Sequence, residues 1–473
     1  MMSKSVHNPN TDALDQIAAI AGPKGVVDET GQAAHLTEWR GRWRGDASII
    51  VAPKTTKAVS EIVKVCAENN LAITPQGGNT GLVGGQIPFD GEVLLSLKRM
   101  RQIREIEPLN NSVTVDAGVT LQEAQEAAKS VDRLFPLSIG SEGSCQIGGV
   151  ISTNAGGVNV LRYGNTRDLV LGLEAVLPNG EIWDGLKRLR KNNTGYDLKH
   201  LFIGGEGTLG IVTGAVLKLF PRPADRITVF AGCENMENVV RTLAHANEKT
   251  GGATTSFEFL SQLSLKLVLK NIQNTRAPLD NSYPAYILME FSAGRKDILR
   301  PLVEGMLTDA LDKDLISDVV IAENEQHAND FWRIRHAMSE AINHEGLGAR
   351  HDVSVATSDI PAFLSAANAA IERISKGARA IAFGHVGDGN VHYDVVGPPG
   401  APKDALDDQR EDIENAVYEI IDRFDGSFSA EHGVGMHKRR ALERYKSPVE
   451  QQMMRAVKDS LDPAGIMNPG KIL

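Results

Sequence analysis

The stretch PQGGNTGLVGG, residues 75–85, determines how the first half of this 473-residue chain folds. Five of the nine residues from Gly77 to Gly85 are glycines. Glycine suits positions where φ is positive or where backbone N–H groups approach a ligand closely. Successive amides in such a loop form a concavity that binds anions. The stretch therefore indicates a phosphate-binding loop, with an ordinary glycine-rich surface loop as the alternative.

The element after this loop argues against a nicotinamide cofactor bound in a Rossmann fold. It is a predicted strand, EVLLSL at 92–97, whereas the G-x-G-x-x-G fingerprint of a Rossmann unit opens a helix. Further glycine-rich segments occur at 140–144, 148–149, 153–157 and 204–210. Glycine loops repeated along one domain predict a long ligand wrapped by backbone, and a dinucleotide such as FAD has that length.

The amino-acid composition limits which binding partners and which cellular compartment are expected. Lys plus Arg is 50 and Asp plus Glu is 60, so the formal net charge of −10 argues against nucleic acid or an anionic membrane surface. The three cysteines form no CxxC pair, which excludes a disulfide framework, a cysteine zinc site and an iron–sulfur cluster. The polar N-terminus has no apolar core of a signal peptide, and no apolar run is long enough to span a bilayer. These features predict a cytoplasmic location.

A second constellation lies at AIAFGHVGDGNVHYDVV, residues 380–396. Asp-Gly is a strong signal for a two-residue hairpin turn. A turn at Asp388 and Gly389 would pair His385 directly with His392, with Cβ atoms about 4.5–5.5 Å apart on one face. Two imidazoles at that separation can converge on one metal. Two histidines with ordinary hydrogen bonds on a sheet face are the alternative.

A third ligand is available in SAEHGVG, residues 429–435. Two histidines and Glu431 would form a sound set of ligands for a divalent cation, with zinc as the first choice and manganese as the second. Glu431 in a merely exposed acidic loop is the alternative.

Both halves resemble known flavoproteins. The segments 75–85, 151–181 and 204–213 resemble the FAD domain of the vanillyl-alcohol oxidase / p-cresol methylhydroxylase superfamily. GHVGDGNVHYDV and SAEHGVG resemble the C-terminal domain of FAD-linked D-lactate and D-2-hydroxyglutarate dehydrogenases. The resemblance covers about residues 46–473 and implies an FAD-dependent oxidation of a D-2-hydroxy acid to the 2-oxo acid.

The expected fold is α+β, with a two-part FAD-binding domain and a substrate domain built on an antiparallel sheet. The proline-rich PRPAD at 221–225 is the expected domain boundary. We expect an N-terminal helical segment at 1–45, the FAD-binding domain at 46–222, the substrate domain at 223–425 and a C-terminal segment at 426–473 that completes the active site.

The resemblance implies which residues contact FAD. They are Pro75, Gly77, Gly78, Asn79, Thr80, Gly81, Gly84, Gly85, Ser141, Gly148, Asn154, Gly156, Gly157, Tyr163, Glu206, Gly207, Gly210, Ile211, Val212 and Asn468. Some superfamily members tether FAD through a histidine in the pyrophosphate loop. The comparable position here is Asn79, which predicts non-covalent FAD.

The resemblance also implies the roles around the substrate. His385, His392 and Glu431 would bind the metal, and His432 would act as the general base. Arg335 and Ser339 are four residues apart in FWRIRHAMSEAI (331–342), which predicts that they share one helical face. The resemblance implies that they bind substrate carboxylate with Arg350, and a pair of surface arginines is the alternative. Asp394 stands where the 2-hydroxyglutarate enzymes usually have Asn, and a carboxylate there is unhelpful to an anionic substrate unless it is paired.

The exact reaction stays open at this point. D-2-Hydroxyglutarate and D-lactate are the first choices for the small anionic substrate, with D-malate or a sugar acid as alternatives. The electron acceptor can be an electron-transfer flavoprotein, a quinone or a cytochrome, and a homodimer is open. Two other classes of protein, a metal-dependent hydrolase and a non-enzymatic flavin electron-transfer module, remain as alternatives.

Overall fold

A computed structural model of the chain describes residues 11–346 and 348–473. The first ten residues of the expected helical segment at 1–45 lie outside the described residues. Within that segment the helices are Thr11–Ala21 and Glu29–Leu36.

Strands and helices are numbered in chain order. The strands are β1 Ala47–Val51, β2 Ile73–Gln76, β3 Glu92–Ser96, β4 Ile103–Glu107, β5 Ser112–Asp116, β6 Arg133–Leu134, β7 Val170–Val176, β8 Ile182–Gly185, β9 Ile211–Lys218, β10 Phe220–Pro221, β11 Asp225–Cys233, β12 Thr254–Ser261, β13 Ala285–Ala293, β14 Asp318–Ile321, β15 Ala349–Ser354, β16 Arg379–His385 and β17 Asn390–Val396. The helices are α1 Thr11–Ala21, α2 Glu29–Leu36, α3 Thr56–Glu68, α4 Leu121–Ser130, α5 Ile147–Ser152, α6 Val160–Tyr163, α7 Thr166–Leu169, α8 Lys199–Phe202, α9 Met236–Thr250, α10 Gln262–Asn271, α11 Lys296–Asp312, α12 Glu325–His336, α13 Met338–Asn343, α14 Ile360–Ile374, α15 Arg410–Arg423, α16 Arg439–Tyr445 and α17 Pro448–Leu461.

The chain divides into two compact units. The first contains the described residues up to Gly156, then Asn165–Pro221 and His432–Leu473, and the second contains Gly157–Gly164 and Arg222–Glu431. The domain limits expected from the sequence stay a prediction.

The first unit is built on two main sheets of different kind, and β6 and β10 form a third, two-stranded antiparallel sheet. Strands β1, β3 and β2 form a parallel sheet in that order, and β4-β5-β9-β7-β8 form an antiparallel sheet. Helix α3 packs its apolar stripe into the core, with Val59, Ile62, Val63 and Cys66 fully buried. Its N-terminus is fixed because the Thr55 side chain accepts a hydrogen bond from the N–H of Ala58. The apolar residues recur with the 3.6-residue period of a helix, and a threonine precedes the first turn, so both features follow from the local sequence.

The second unit is built on one antiparallel sheet of seven strands, in the order β14-β11-β13-β12-β16-β17-β15. Helices α10, α12 and α13 bury apolar side chains in the same core as strands β12, β13 and β16. The α+β class predicted from the sequence is therefore confirmed. The sheet matters for function because its three neighbouring strands β12, β16 and β17 carry the histidine hairpin and the strand beside it.

Candidate cofactor and metal sites

The glycine loop of the first unit presents a row of backbone amides. Among the described residues, the N–H groups from Gly77 to Leu82 make no hydrogen bond to another backbone group. A buried or half-buried N–H is rarely left unpaired in a folded protein. At Gly78, a Cβ atom would lie 2.0 Å from the carbonyl oxygen of Ser144, so only glycine fits there. These unpaired donors match the oxygens of an anionic group such as a pyrophosphate.

Asn79 holds the loop in shape. Its backbone is left-handed, with φ at 55°, a conformation that Asn tolerates better than most residues. Its side-chain amide donates to the carbonyl oxygens of Ala34 and Thr37, both at 2.9 Å, and its Oδ1 accepts from Gln86. Asn79 therefore uses its side chain within the protein.

The C-terminal segment meets the same loop. The Asn468 amide donates to the carbonyl oxygens of Gly85, at 2.9 Å, and Glu206, at 2.8 Å. The Oδ1 atom of Asn468 is buried and has no partner among the described residues. The Glu206 carboxylate accepts from the N–H groups of Val434 and Gly435, both at 2.7 Å. A buried oxygen without a partner, on a residue that contacts one end of the glycine loop, fits a polar ligand such as FAD.

The other residues expected around FAD differ in what their side chains contact and in which unit they belong to. Gly207 has a positive φ of 72° and packs against Pro75. Asn154 accepts a hydrogen bond from the N–H of Arg167. The side chain of Ile211 lies in the hydrophobic core, so only its backbone is available to a ligand. Gly157 and Tyr163 belong to the second unit.

The histidine hairpin forms, but the predicted register is wrong. His385 pairs with Asn390 and Phe383 pairs with His392, so the two histidines are diagonal rather than opposite. The turn is longer than two residues because Val386–Asp388 form a turn of 3₁₀ helix and Gly389 follows with a φ of 83°. The shift amounts to two positions on one strand, and side chains two positions apart face the same side. Both histidines therefore still share a face, with ring centroids 5.6 Å apart.

The structure brings the three expected metal ligands together in the second unit. One ligand atom from each of His385, His392 and Glu431 lies within 4.8 Å of the other two. Glu431 Oε1 lies 3.4 Å from His392 Nε2 and 3.8 Å from His385 Nε2. Two imidazoles and one carboxylate converging on one point are a donor set suited to zinc or manganese.

A buried carboxylate, Glu258, stands behind His385. Its Oε1 lies 2.7 Å from His385 Nδ1, and its Oε2 accepts from Arg335 Nε at 2.7 Å. Arg335 Nη2 also lies 3.3 Å from His385 Nε2. The three side chains form one buried network, which includes the arginine expected to bind substrate carboxylate.

A second carboxylate, Asp352, supports the other ligands. Its Oδ2 accepts from the backbone N–H of Glu431 at 3.0 Å, and its Oδ1 accepts from the Asn390 amide at 2.9 Å. Asp352 stands directly opposite His392 in the sheet, with 3.9 Å between its Oδ1 and His392 Nδ1. Asp352 therefore holds the Glu431 segment against the hairpin.

The electrostatics of this cluster favour a cation. Burial raises the pKa of Glu431, and the neighbouring charge of Asp352 adds to that effect against the opposing pull of His385. Burial alone would lower the pKa of His385, but the Glu258 carboxylate outweighs it and raises this pKa to about 9. A divalent ion would favour the ionised Glu431 and displace the proton from His385.

Arg350 and Asp394 form a direct cross-strand pair. Arg350 Nε lies 4.0 Å from Asp394 Oδ2, and Arg350 Nη2 donates to Asn343 at 2.6 Å. Asp394 is thus a paired carboxylate, on the same strand face as His392 two positions earlier.

The prediction that Arg335 and Ser339 share one helical face is wrong. Helix α12 ends at His336 and α13 begins at Met338, so no continuous helix joins them. The reason is local: Ala337 at the junction departs from helical backbone, with ψ at 0°. Arg335 is buried and Ser339 is exposed.

Sequence reasoning missed Glu258 and Asp352. In the strand TTSFEFLS (254–261) the alternation places Phe257 and Phe259 on one face and Glu258 on the opposite, more polar face. The pattern therefore does not mark Glu258 as buried, whereas the structure buries both faces of this strand. Asp352 lies two residues after Arg350, so the strand period of two already places them on one face. His432 follows Glu431 in the chain and is the first residue of the C-terminal segment of the first unit.

Comparisons with known proteins show which families and which curated proteins the chain resembles. Residues 47–185 match an FAD binding domain family, and residues 222–472 match the family of FAD linked oxidases, C-terminal domain. The chain is 37% identical to a D-2-hydroxyglutarate–pyruvate transhydrogenase of Saccharomyces cerevisiae, over 93% of this chain and 89% of that protein. It is 35% identical to a D-2-hydroxyglutarate dehydrogenase of Stutzerimonas stutzeri, over 97% of this chain and 98% of that one.

A solved structure agrees at the level of the fold. The structure of p-cresol methylhydroxylase with substrate bound superposes with a TM-score of 0.77 at 17% identity, over 98% of this chain and 96% of that one. Fold and sites together define a flavoprotein with an FAD-binding domain and a substrate domain. The chain belongs to the FAD-linked D-2-hydroxyacid dehydrogenases, as its motifs predicted. In the part of the chain that the structure describes, no helix is long and apolar enough to cross a membrane.

Proposed function

We propose that the second unit holds a divalent metal through His385, His392 and Glu431, and that this centre works with FAD to oxidise D-2-hydroxyglutarate or D-lactate to the 2-oxo acid. The observation that carries the proposal is the convergence of the three ligand atoms within 4.8 Å of one another. Zinc is the first choice and manganese the second, since both accept imidazole and carboxylate ligands.

The chain's own residues have separate tasks in this proposal. His432 takes the proton from the substrate 2-hydroxyl as general base. Arg335 supplies a buried positive charge for the substrate carboxylate, and Glu258 holds that arginine in place. A metal held by His385, His392 and Glu431 would lower the pKa of the substrate hydroxyl, and bound FAD would supply the acceptor for the Cα hydride. The substrate loses one proton and one hydride, and the product is the 2-oxo acid.

FAD contacts in the first unit are part of the proposal. The unpaired amides from Gly77 to Leu82 would bind the pyrophosphate, and Asn468 would complete the site with its unpartnered Oδ1. We propose that FAD is held without a covalent bond, because Asn79 offers no nucleophile and its side chain is engaged by Ala34, Thr37 and Gln86. Flavin retained on the acid-precipitated polypeptide would contradict this.

The names of the relatives favour D-2-hydroxyglutarate as substrate. D-Lactate, D-malate and sugar acids stay open because the Arg350–Asp394 pair alters the charge on the same sheet face as His392. The electron acceptor, a homodimeric state and a cytoplasmic location are predictions that rest on the sequence alone.

One experiment tests the proposed function as a whole. The purified protein is mixed anaerobically with D- and L-forms of 2-hydroxyglutarate, lactate and malate, and bleaching of the flavin absorbance is followed. We expect bleaching with one or more D-acids and none with the L-acids. A protein whose flavin no D-2-hydroxy acid bleaches would support an electron-transfer module instead.

A further inference from the structure

Glu258 lies at the centre of the seven-stranded sheet, in β12, directly opposite His385 of β16. Its side chain is 1% exposed. Directly opposite residues on antiparallel strands have Cβ atoms about 4.5–5.5 Å apart. The carboxylate is therefore committed to its protein neighbours, because bulk water does not reach it.

Both oxygens of this carboxylate are used. One lies 2.7 Å from His385 Nδ1 and the other 2.7 Å from Arg335 Nε. An ionised carboxylate only accepts hydrogen bonds, so both neighbouring atoms must donate. The proton on His385 is then fixed on Nδ1. The remaining ring atom, Nε2, then carries the lone pair; it lies 3.8 Å from Glu431 Oε1 and 3.3 Å from Arg335 Nη2.

We propose that Glu258 is a positioning residue for the metal centre: it fixes the ring and tautomer of His385 so that Nε2 is the ligating atom, and it holds Arg335 with its second oxygen. This inference rests on the proposed metal function. Carboxylates behind metal-bound histidines act in this way in many sites, and their removal typically weakens metal binding about 10–100-fold.

The two-oxygen arrangement explains why the residue must be an acid. An amide at this position offers one acceptor and one donor, so Glu258→Gln cannot accept from Arg335 and from the Nδ1–H of His385 at the same time. Glu258→Asp keeps the charge and both acceptors on a side chain one methylene shorter. It should therefore restore part of what the amide loses.

The neighbouring strand supplies a matched control. Glu290 of β13 stands opposite Ser256, two positions from Glu258 on the same sheet face. Its residue is 8% exposed, and it accepts a hydrogen bond from Trp332 Nε1 at 3.3 Å. Trp332 lies three residues before Arg335 in helix α12. Like Glu258, Glu290 is a buried acid that joins helix α12 to this sheet face, but it does so through Trp332 instead of Arg335. Glu290→Gln therefore changes a comparable acid that does not contact His385.

The test measures zinc affinity of the FAD-loaded protein by competition with a chromogenic chelator. We expect Glu258→Gln to weaken zinc binding about 10–100-fold, Glu258→Asp to recover part of it, and Glu290→Gln to keep the wild-type affinity. All variants should retain FAD. Equal zinc affinity in Glu258→Gln and wild type, or an equal loss in Glu290→Gln, would overturn the positioning role.

A second readout does not depend on metal. The imidazole ¹⁵N shifts of His385 in metal-free protein, recorded at about pH 10 where imidazole is neutral, report which ring nitrogen carries the proton. We expect Nδ1–H in wild type and a mixture of tautomers in Glu258→Gln. A proton on Nε2 in wild type would refute the role of Glu258. Wild-type protein that binds no zinc but shows the Nδ1–H tautomer would instead refute the metal centre alone.

Discussion

The Gly77–Gly85 loop of the first unit and the histidine hairpin of the second unit offer different materials to a ligand. The loop offers backbone amides of consecutive residues, and the Asn79 side chain serves to hold the loop in shape. The hairpin offers side chains, each held by a partner from another segment: Glu258 behind His385, and Asp352 beside the Glu431 backbone. A site made of backbone depends on chain conformation, whereas a site made of side chains depends on a network of neighbours.

The two sites are therefore vulnerable to different changes. At a backbone site the damaging change is a side chain added where none fits, as at Gly78. At a side-chain site the damaging change is the loss of a ligand, a base or the acid behind a ligand. Variants in one unit should therefore alter one function and spare the other.

The largest effect is expected at His432. His432→Asn should slow flavin reduction by D-2-hydroxy acid about 10²–10⁴-fold, because a general base contributes that much to a proton transfer. FAD and metal content should remain at wild-type values. Anaerobic stopped-flow absorbance measures the rate, and His437→Asn, at an exposed histidine in the same segment, is the control. A near-normal rate of flavin reduction in His432→Asn would show that His432 is not the general base.

The glycine loop is tested by adding side chains. Gly149 neighbours Gly77, and a Cβ atom there would meet no protein atom within 4 Å. Gly149→Ala should therefore fold normally but weaken FAD binding about 10–100-fold if the cofactor fills that space, since overpacking costs about 1–3 kcal/mol. Fluorescence titration of the apoprotein with FAD measures the affinity.

Gly305→Ala is the matched control for that variant. Gly305 lies in helix α11 of the second unit and also has no atom within 4 Å of an added Cβ. Its FAD affinity should equal that of wild type. Zinc content should stay unchanged in both variants. Unaltered FAD affinity in Gly149→Ala would mean that the cofactor does not occupy the space beside Gly149.

The Arg350–Asp394 pair is expected to influence substrate choice. Asp394→Asn removes the charge that faces Arg350, so Arg350 can bind a second substrate carboxylate. The ratio of kcat/KM for D-2-hydroxyglutarate over D-lactate should rise about 10-fold, as a hydrogen bond to a charged group contributes about 1.5–3 kcal/mol. Asp394→Glu keeps the charge and should keep the ratio. If Asp394→Asn leaves the kcat/KM ratio unchanged, the Arg350–Asp394 pair does not determine substrate specificity.

The smallest effect concerns stability of the second unit at low pH. Burial would raise the pKa of Glu345, but Lys270, Asn271 and Arg379 together lower it to about 2. Because the pKa of Glu345 is lower in the folded than in the unfolded protein, its ionised carboxylate stabilises the fold fully at a pH above the unfolded pKa of 4.5. This stabilisation is lost as the pH falls toward the folded pKa of about 2. We expect roughly 1–3 kcal/mol for this 7%-exposed side chain.

Urea unfolding at pH 6 and pH 3.5 measures that contribution. Glu345→Gln should be less stable than wild type at pH 6, and the gap should narrow at pH 3.5. A gap of equal size at both values would assign the loss to packing rather than to charge.

Much of this architecture was predictable from local sequence, and the exceptions have physical causes. The stripe of helix α3 and the glycine loop follow from short-range patterns in residues 55–68 and 75–85. The hairpin register was not predictable, because Asp388-Gly389 also fits a longer turn closed by 3₁₀ helix. Both histidines kept one face only because the shift was an even number of positions.

The supporting carboxylates were harder to predict for a different reason. Glu258 is separated from His385 by 127 positions in the chain, and strand order in the sheet decides that they meet. The strand period places Glu258 on the face opposite Phe257 and Phe259, so it identifies neither the burial of Glu258 nor its neighbour. The break at Ala337 similarly separates Arg335 from Ser339 although the pattern reads as one helix.

We propose that a side-chain metal centre in one unit and a backbone FAD site in the other are distinct and jointly required. The most direct test of this claim is anaerobic flavin reduction by D-2-hydroxyglutarate before and after the metal is removed with a chelator. We predict that stripping abolishes reduction, leaves the flavin spectrum and FAD content intact, and is reversed by added zinc or manganese. Undiminished flavin reduction by the metal-free protein would contradict the claim.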